Sequence, residues 1–309
     1  MKYTPFLGKY ISELTLGTVQ LGLQYGIANK NKKPTLEAAF SILQAAYDKG
    51  ITCFDTAASY GNSESIIGHF FDTNLGKNKE IIIITKLISL NNISTENVKN
   101  IIKQRINQSL TNLRTKYIDC LLLHNYEDIF KKNVYEILIE SKKKGILGGI
   151  GVSVYDPTDL QHILDKFEID AVQLPFNLFD HRFFTQGLIQ KMYNMKITIF
   201  ARSIFLQGLF FLSKSQIPNH LSQAIPYLQK IYHISQDLGI SIAQLAVEFI
   251  RSYKEITSIV IGSENSKQVE ENVIRFRDPA LNNIPIGKIL YELKDIPKEI
   301  YDPRVWGIK

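Results

Sequence analysis

Short, nearly continuous apolar runs recur along this chain, and between them apolar residues return every three or four positions over longer stretches. The first pattern suits buried strands and the second suits helices with one face against a core. Runs at residues 14–19, 52–55, 81–86, 118–124, 148–153, 171–175, 197–200 and 257–261 predict eight strands. Helical spacing falls between them. Thr35 is placed to cap a helix that Gly50 stops, and a short helix opens at Asn62 or Ser63. The stretch 95–113 carries Val98, Ile101, Ile102, Ile106, Leu110 and Leu113 at helical spacing. Further helices are predicted at 134–143, from Pro157 in a first turn, at 184–193, at 221–238, at 242–252 and from Ser266. Strand and helix alternate almost throughout, which favours parallel strands joined by crossover helices. The expectation is one (β/α)8 TIM barrel of class α/β, a single domain over residues 1–309 with extra C-terminal helices and a tail ending in Trp306.

Length and composition agree with that picture. A chain of 309 residues fits one large α/β barrel. No apolar stretch reaches the roughly 20 residues of a membrane span, and the opening MKYTPFLGKY lacks a signal-peptide core, so a cytoplasmic, soluble protein is expected. The formal charge of +6 raises the question of nucleic acid. The lysines, however, stand in small groups at 30–33, 77–79, 131–132 and 142–144, in loops or at helix ends and without interleaved aromatic residues. They read as a solvated surface. Cys53 and Cys120 lie inside apolar runs without metal-ligand spacing and read as reduced core thiols, and no metal site is expected.

The chemistry gathers where apolar runs end. Asp55 closes the second run, Tyr60 follows in the loop FDTAASYG, Lys86 closes IIIITK, and His124 closes IDCLLLH. In a barrel of parallel strands these carboxyl ends lie at one mouth, where active sites are built from several strands. Asp55, Thr56, Ala57, Tyr60, Gly61, Ser63, Glu64 and Gly68 match a pattern of the aldo-keto reductase superfamily, and Lys86 and His124 stand where its other two catalytic residues do. The chain resembles that family over nearly its whole length. The resemblance implies an NAD(P)H-dependent oxidoreductase that interconverts a carbonyl and an alcohol, with Asp55, Tyr60, Lys86 and His124 as its tetrad.

The residue types suit that chemistry. A carbonyl that accepts a hydride becomes an alkoxide unless a proton donor is at hand. Tyr60 would give the proton, Lys86 would lower the phenol's pKa, Asp55 would hold Lys86, and His124 would orient the substrate oxygen. By resemblance, Ser153 and Gln173 hold the cofactor's carboxamide, and Arg202 and Ser203 contact the nicotinamide face and the pyrophosphate. Thr18, Gly208, Gly262, Ser263, Glu264, Gln268, Glu271 and Asn272 complete the cofactor set. Val154 stands where the family often has Asn, and Arg202 where it usually has an aromatic residue.

The adenosine end departs as well. Many relatives place basic residues at the positions of Glu264 and Gln268, where they meet the 2′-phosphate of NADP. An acid there repels phosphate and suits the 2′-hydroxyl, so the residues lean toward NAD(H), with Ser263 and Lys267 still able to serve a phosphate. The opening LGTVQLGLQYGIANK resembles a bacterial branch associated with sugar and polysaccharide metabolism, which points to a small carbonyl or sugar substrate shaped by Asn125, Tyr126, Phe205 and Phe210. The rival reading is a redox-sensing, cofactor-binding regulatory subunit with little turnover. The sequence does not fix an oligomeric state.

Overall fold

The computed structural model describes residues 1–29, 33–75, 81–277 and 284–307. The strands are β1 (Tyr3–Phe6), β2 (Lys9–Ser12), β3 (Leu14–Gly17), β4 (Cys53–Asp55), β5 (Ile82–Leu87), β6 (Ile118–Leu123), β7 (Leu147–Ser153), β8 (Ala171–Pro175), β9 (Thr198–Arg202) and β10 (Ser258–Gly262). The last eight form a closed parallel barrel, sealed where β10 pairs with β3 from Ile259↔Leu14 to Gly262↔Gly17. The predicted (β/α)8 barrel is therefore the fold. Side chains alternate along each strand, so every second residue points into the ring. Cys53, Ile82, Ile84, Cys120, Leu122, Ala171 and Phe200 fill its interior as one apolar cluster. The intervening residues, among them Phe54, Ile83, Leu121 and Val172, pack outward with the helices in a second, larger core.

The sequence pattern did not reveal the hairpin β1–β2, whose two strands are only four residues each and mostly polar. Leu7 and Gly8 turn it with positive φ at both positions, the geometry that matches strand twist across a two-residue loop. Phe6 and Ile11 are its buried apolar residues, and Phe6 meets Phe200 edge to face with ring centroids 6.0 Å apart. Lys9 anchors it to Asp119, near the start of β6, at 2.6 Å. The hairpin thus plugs the amino-terminal end of the ring and leaves the carboxyl-terminal mouth open.

Most predicted helices form with small shifts at their ends. Thr35 Oγ1 accepts from Ala38 N to cap Leu36–Asp48, and Val134–Lys143 begins and ends as expected. Two predicted helices are broken. The stretch 184–193 becomes Arg182–Thr185 and Leu188–Asn194, because Gly187 takes a left-handed φ of 73° between them. The stretch 221–238 opens as a 3-10 turn over Asn219–Ala224 before Ile225–Asp237, with Pro226 in the first turn of the latter. The first strand stops at Gly17, since Thr18 N turns to donate to Asp55 O, whereas β9 runs on to Arg202. The tail forms Ile286–Glu292 and Lys298–Tyr301, then brings Arg304 to Asp156 beyond the end of β7.

Among the described residues no helix is long and apolar enough to cross a membrane. Of the lysine groups, Lys131, Lys142 and Lys144 pair with Asp128, Asp170 and Glu140. Lys30, Lys32, Lys77 and Lys79 lie outside the described residues.

Candidate active site

The alternation that fills the barrel also builds the mouth. Asp55 stands two residues beyond Cys53, Lys86 two beyond Ile84, His124 two beyond Leu122, Gln173 two beyond Ala171 and Arg202 two beyond Phe200. Each is the next inward position after the last apolar one. They border a cavity of about 890 Å³ at this end. Every residue of the predicted tetrad and cofactor set lines it except Lys86, which is buried beneath, and Ser263, whose hydroxyl accepts from Asn272 Nδ2 at 3.4 Å.

At its centre Lys86 Nζ donates to both oxygens of Asp55, at 2.7 and 2.8 Å, and to Thr56 O at 2.9 Å. These contacts use all three ammonium N–H groups. Gln173 Nε2 donates to Asp55 Oδ1 at 2.8 Å. Tyr60 lies with its ring 4.9 Å from Lys86 Nζ and edge to face with His124, centroids 5.8 Å apart. His124 Nδ1 is 3.1 Å from Ser59 Oγ. Four residues from three strand ends and one loop thus meet in one place.

Their ionisation follows from burial. Loss of water lowers the pKa of Lys86, and Asp55 opposes that shift. Burial, then the imidazole's cationic neighbours Lys86 and Arg202, hold His124 down to about 3, so its ring is neutral at ordinary pH. The Tyr60 phenol is raised above its ordinary value by burial and then by Asp55, with Arg202 acting the other way. This reverses the expectation that Lys86 lowers it. The ammonium has spent its donors on Asp55 and Thr56 O, and the carboxylate's charge stands beside its own.

The remaining predicted residues divide by what already holds them. Thr18 Oγ1 donates to Asp55 O and accepts from Ser63 Oγ, so its hydroxyl is committed to the protein. Val154 is buried, with its N–H on Gln173 O and its carbonyl on Arg202, so it takes part only through its backbone. Arg202 lines the cavity as expected, but its guanidinium lies over the Tyr155 ring, 4.0 Å from the centroid. Of the loop residues, Phe205 and Phe210 line the cavity, and Asn125 and Tyr126 do not. At the predicted adenosine end Glu264, Gln268, Glu271 and Asn272 line it, and Gln268 Oε1 accepts from Glu264 N at 2.8 Å. Lys267 is exposed and is not part of the lining.

The sequence reading passed over Gln20, Tyr25, Tyr155 and Arg275, all of which line the cavity. Tyr155 had a legible signal, since it continues the inward period two residues beyond Ser153. Arg275 did not, because it reaches the wall only through a helix, Ser266–Arg277, that folds back over the mouth. It is held there by Glu271 at 3.3 Å and Asn272 at 3.2 Å.

The family model for the aldo/keto reductase family matches residues 13–281. The chain belongs to the aldo/keto reductase family. Membership implies NAD(P)-dependent carbonyl reduction, and the protein is an oxidoreductase. It is similar to an uncharacterized oxidoreductase, YqkF, of Bacillus subtilis, at 27% identity over 85% of this chain and 86% of that protein. It is also similar to L-glyceraldehyde 3-phosphate reductase of Escherichia coli K12, at 24% identity over 94% and 91%. Among solved structures, the holo form of the aldo-keto reductase AKR11C1 from Bacillus halodurans superposes with a TM-score of 0.75 at 20% identity, covering 99% of both chains. That likeness is one of fold.

The cavity suits an extended dinucleotide in its own right. Gln20 Oε1 is buried beside it without a hydrogen-bond partner among the described residues. Gly262 forms part of the wall where an added Cβ would come within 2.4 Å of Gln20. The loop after β9 carries Ser203, Leu206 and Gln207 at positive φ, with Gly208 at 90°, an arrangement costly for side-chain-bearing residues and concentrated at ligand sites. Ile27 N donates to Gln207 O at 3.1 Å, so this loop and the loop 25–29 meet over the cavity.

Proposed function

We propose that this aldo/keto reductase interconverts a small aldehyde, ketone or sugar with its alcohol at the mouth of the barrel, with Tyr60 as the proton donor and acceptor. The observation that carries the reading is the meeting of Tyr60, His124 and the Asp55–Lys86 pair around one point of the cavity. When bound, the nicotinamide supplies or removes the hydride. Tyr60 gives its hydroxyl proton to the carbonyl oxygen as negative charge develops there. A raised phenol pKa favours the protonated form, which is the form reduction consumes. Neutral His124 donates a hydrogen bond from its ring to the same oxygen and so fixes the carbonyl's direction. Asp55 and Gln173 keep Lys86 fixed and charged beneath the Tyr60 ring, where its field stabilises phenolate as the proton leaves.

Ser153 and the free end of the Gln173 amide would hold the carboxamide of the cofactor. Ser203 and the backbone at Gly208 would take the pyrophosphate, and Gly262, Glu264, Gln268, Glu271 and Asn272 the adenosine end, with Ser263 supporting Asn272 from behind. The carboxylate of Glu264 in the cavity wall favours NAD(H). An aldose or related sugar, handled by a bacterial branch of the family concerned with sugar and polysaccharide metabolism, is the substrate class we favour, on the resemblance of the segment 16–30.

A panel of aldehydes, ketones and aldoses with NADH and NADPH, followed by the loss of reduced-cofactor absorbance, tests this reading. Steady turnover of at least one carbonyl compound is expected. Tight cofactor binding with no turnover across the panel would instead describe a cofactor-binding regulatory subunit.

A further inference from the structure

Tyr155 lies between two guanidinium groups. Arg202 reaches one position on its ring face at 4.0 Å from the centroid, and Arg304, from the tail, another at 3.9 Å. The two cations differ in what balances them. Arg304 donates to both oxygens of Asp302, the shortest contact being 2.6 Å, and to Asp156 at 3.1 Å. Among the described residues Arg202 has no carboxylate within ion-pair distance, and its hydrogen bonds go to neutral oxygens, Ser203 Oγ at 3.3 Å and Val154 O at 3.2 Å. A guanidinium has five N–H groups. Most of those on Arg202 are therefore unengaged within a half-buried cavity wall.

The charge of the reaction centre points the same way. Asp55 is cancelled by Lys86, His124 is neutral, and Arg202 remains as an uncompensated positive charge whose field reaches Tyr60, His124 and Lys86. An unpaired cation in a partly desolvated pocket is costly unless something that enters the pocket pairs with it. The plane of Arg202 is also fixed, by Tyr155 on its face and by Val154 O at its edge, which prepares the fork for a planar or tetrahedral oxyanion.

We propose that Arg202 is a specificity-determining residue of this site and binds a carboxylate or phosphate carried by the carbonyl substrate. The inference rests on the carbonyl-reductase reading above and narrows its substrate class to anionic compounds. Tyr155 and Arg304 position the guanidinium. Asp156 ties Arg304 to Arg182, so the tail and the loop after β7 together set the subsite.

The test compares kcat/KM within matched pairs, 4-carboxybenzaldehyde against benzaldehyde and glyceraldehyde 3-phosphate against glyceraldehyde. It uses the wild type, Arg202→Gln and Arg202→Lys, each shown to melt cooperatively, with NAD(P)H dissociation constants measured alongside. A charge-assisted hydrogen bond is worth about 10- to 100-fold, so the wild type should favour the anionic member of at least one pair by that factor. The favoured pair distinguishes carboxylate from phosphate. The anionic-to-neutral ratio should fall toward one in Arg202→Gln and be partly kept in Arg202→Lys. A wild-type ratio near one in both pairs overturns the inference and leaves the reductase reading intact. An unchanged ratio in Arg202→Gln with a weakened NAD(P)H complex also overturns it, and assigns Arg202 to the cofactor. A wild type that turns over none of the four compounds overturns the inference, and the reductase reading falls with it only if the wider panel of aldehydes, ketones and aldoses also gives no turnover.

Discussion

Gln173 Nε2 reaches Asp55 Oδ1 at 2.8 Å from β8, four strands around an eight-stranded ring from β4. The carboxylate is therefore gripped from opposite sides of the barrel, by Lys86 from its neighbour strand and by Gln173 from across the interior. Removing Lys86 leaves Asp55 ionised, buried and held only by an amide. Lys86→Met should cost about 3–5 kcal/mol of stability, the usual result of stranding one member of a buried pair, and should also abolish turnover. Gln173→Leu removes one hydrogen bond to a charged group and should cost about 1.5–3 kcal/mol. Denaturant unfolding of both variants checks the order. A Lys86→Met protein as stable as the wild type would show that the pair is not a fixture of the fold.

The imidazole gives a prediction in pH. His124 has a folded-state pKa of about 3, below the unfolded value, so the unfolded chain binds the extra proton first as pH falls. Its contribution to stability is complete above roughly pH 6.5 and declines steadily toward about pH 3. His124→Gln should therefore show a smaller drop in Tm between pH 7 and pH 4.5 than the wild type does. Equal drops would mean that the ring takes up its proton at the same pH in the folded protein as in the unfolded chain, and a ring held neutral by burial would be ruled out.

The cofactor preference depends on one carboxylate. Glu264 stands in the cavity wall, and among the described residues the cation lining the predicted adenosine end beside it is Arg275, which is held by Glu271. NADH should give the higher kcat/KM, and Glu264→Arg should move the ratio toward NADPH by about tenfold or more, the effect of replacing a repulsive charge by an attractive one. A wild type that prefers NADPH by that margin would mean that Arg275 leaves Glu271 to meet the phosphate.

The fold was legible because its strands are buried on both faces and its helices on one, and those two spacings differ in the sequence. Where the helical period lied, at 184–193 and 221–238, a single residue had overruled it: the left-handed Gly187 in one case and Pro226 in the other. The hairpin β1–β2 escaped notice because Phe6 and Ile11 are its only buried apolar residues. At the site, Asp55, Lys86 and His124 were legible since they end apolar runs in phase with the interior, whereas Gln173 and Arg202 were legible only through the resemblance to the family. The direction of the Tyr60 shift was not, because it turns on the burial of the phenol and on the nearby Asp55 carboxylate, which spacing does not encode. Lys267 and Arg275 show the same limit, for both are basic and near the right position, and only the second faces the cavity.

The central claim is that Tyr60 carries the proton. Its hydroxyl can be deleted with little disturbance to its neighbours, because the ring's contacts with Lys86 and His124 are made through its face and edge. The most direct measurement is kcat of Tyr60→Phe on the best carbonyl substrate of the wild type, with NAD(P)H binding and Tm recorded on the same protein. We expect kcat to fall by about 10²- to 10⁴-fold while the cofactor still binds and the protein melts normally. Turnover within about threefold of the wild type would contradict the account, since a loss of that size is well below what removal of a general acid costs.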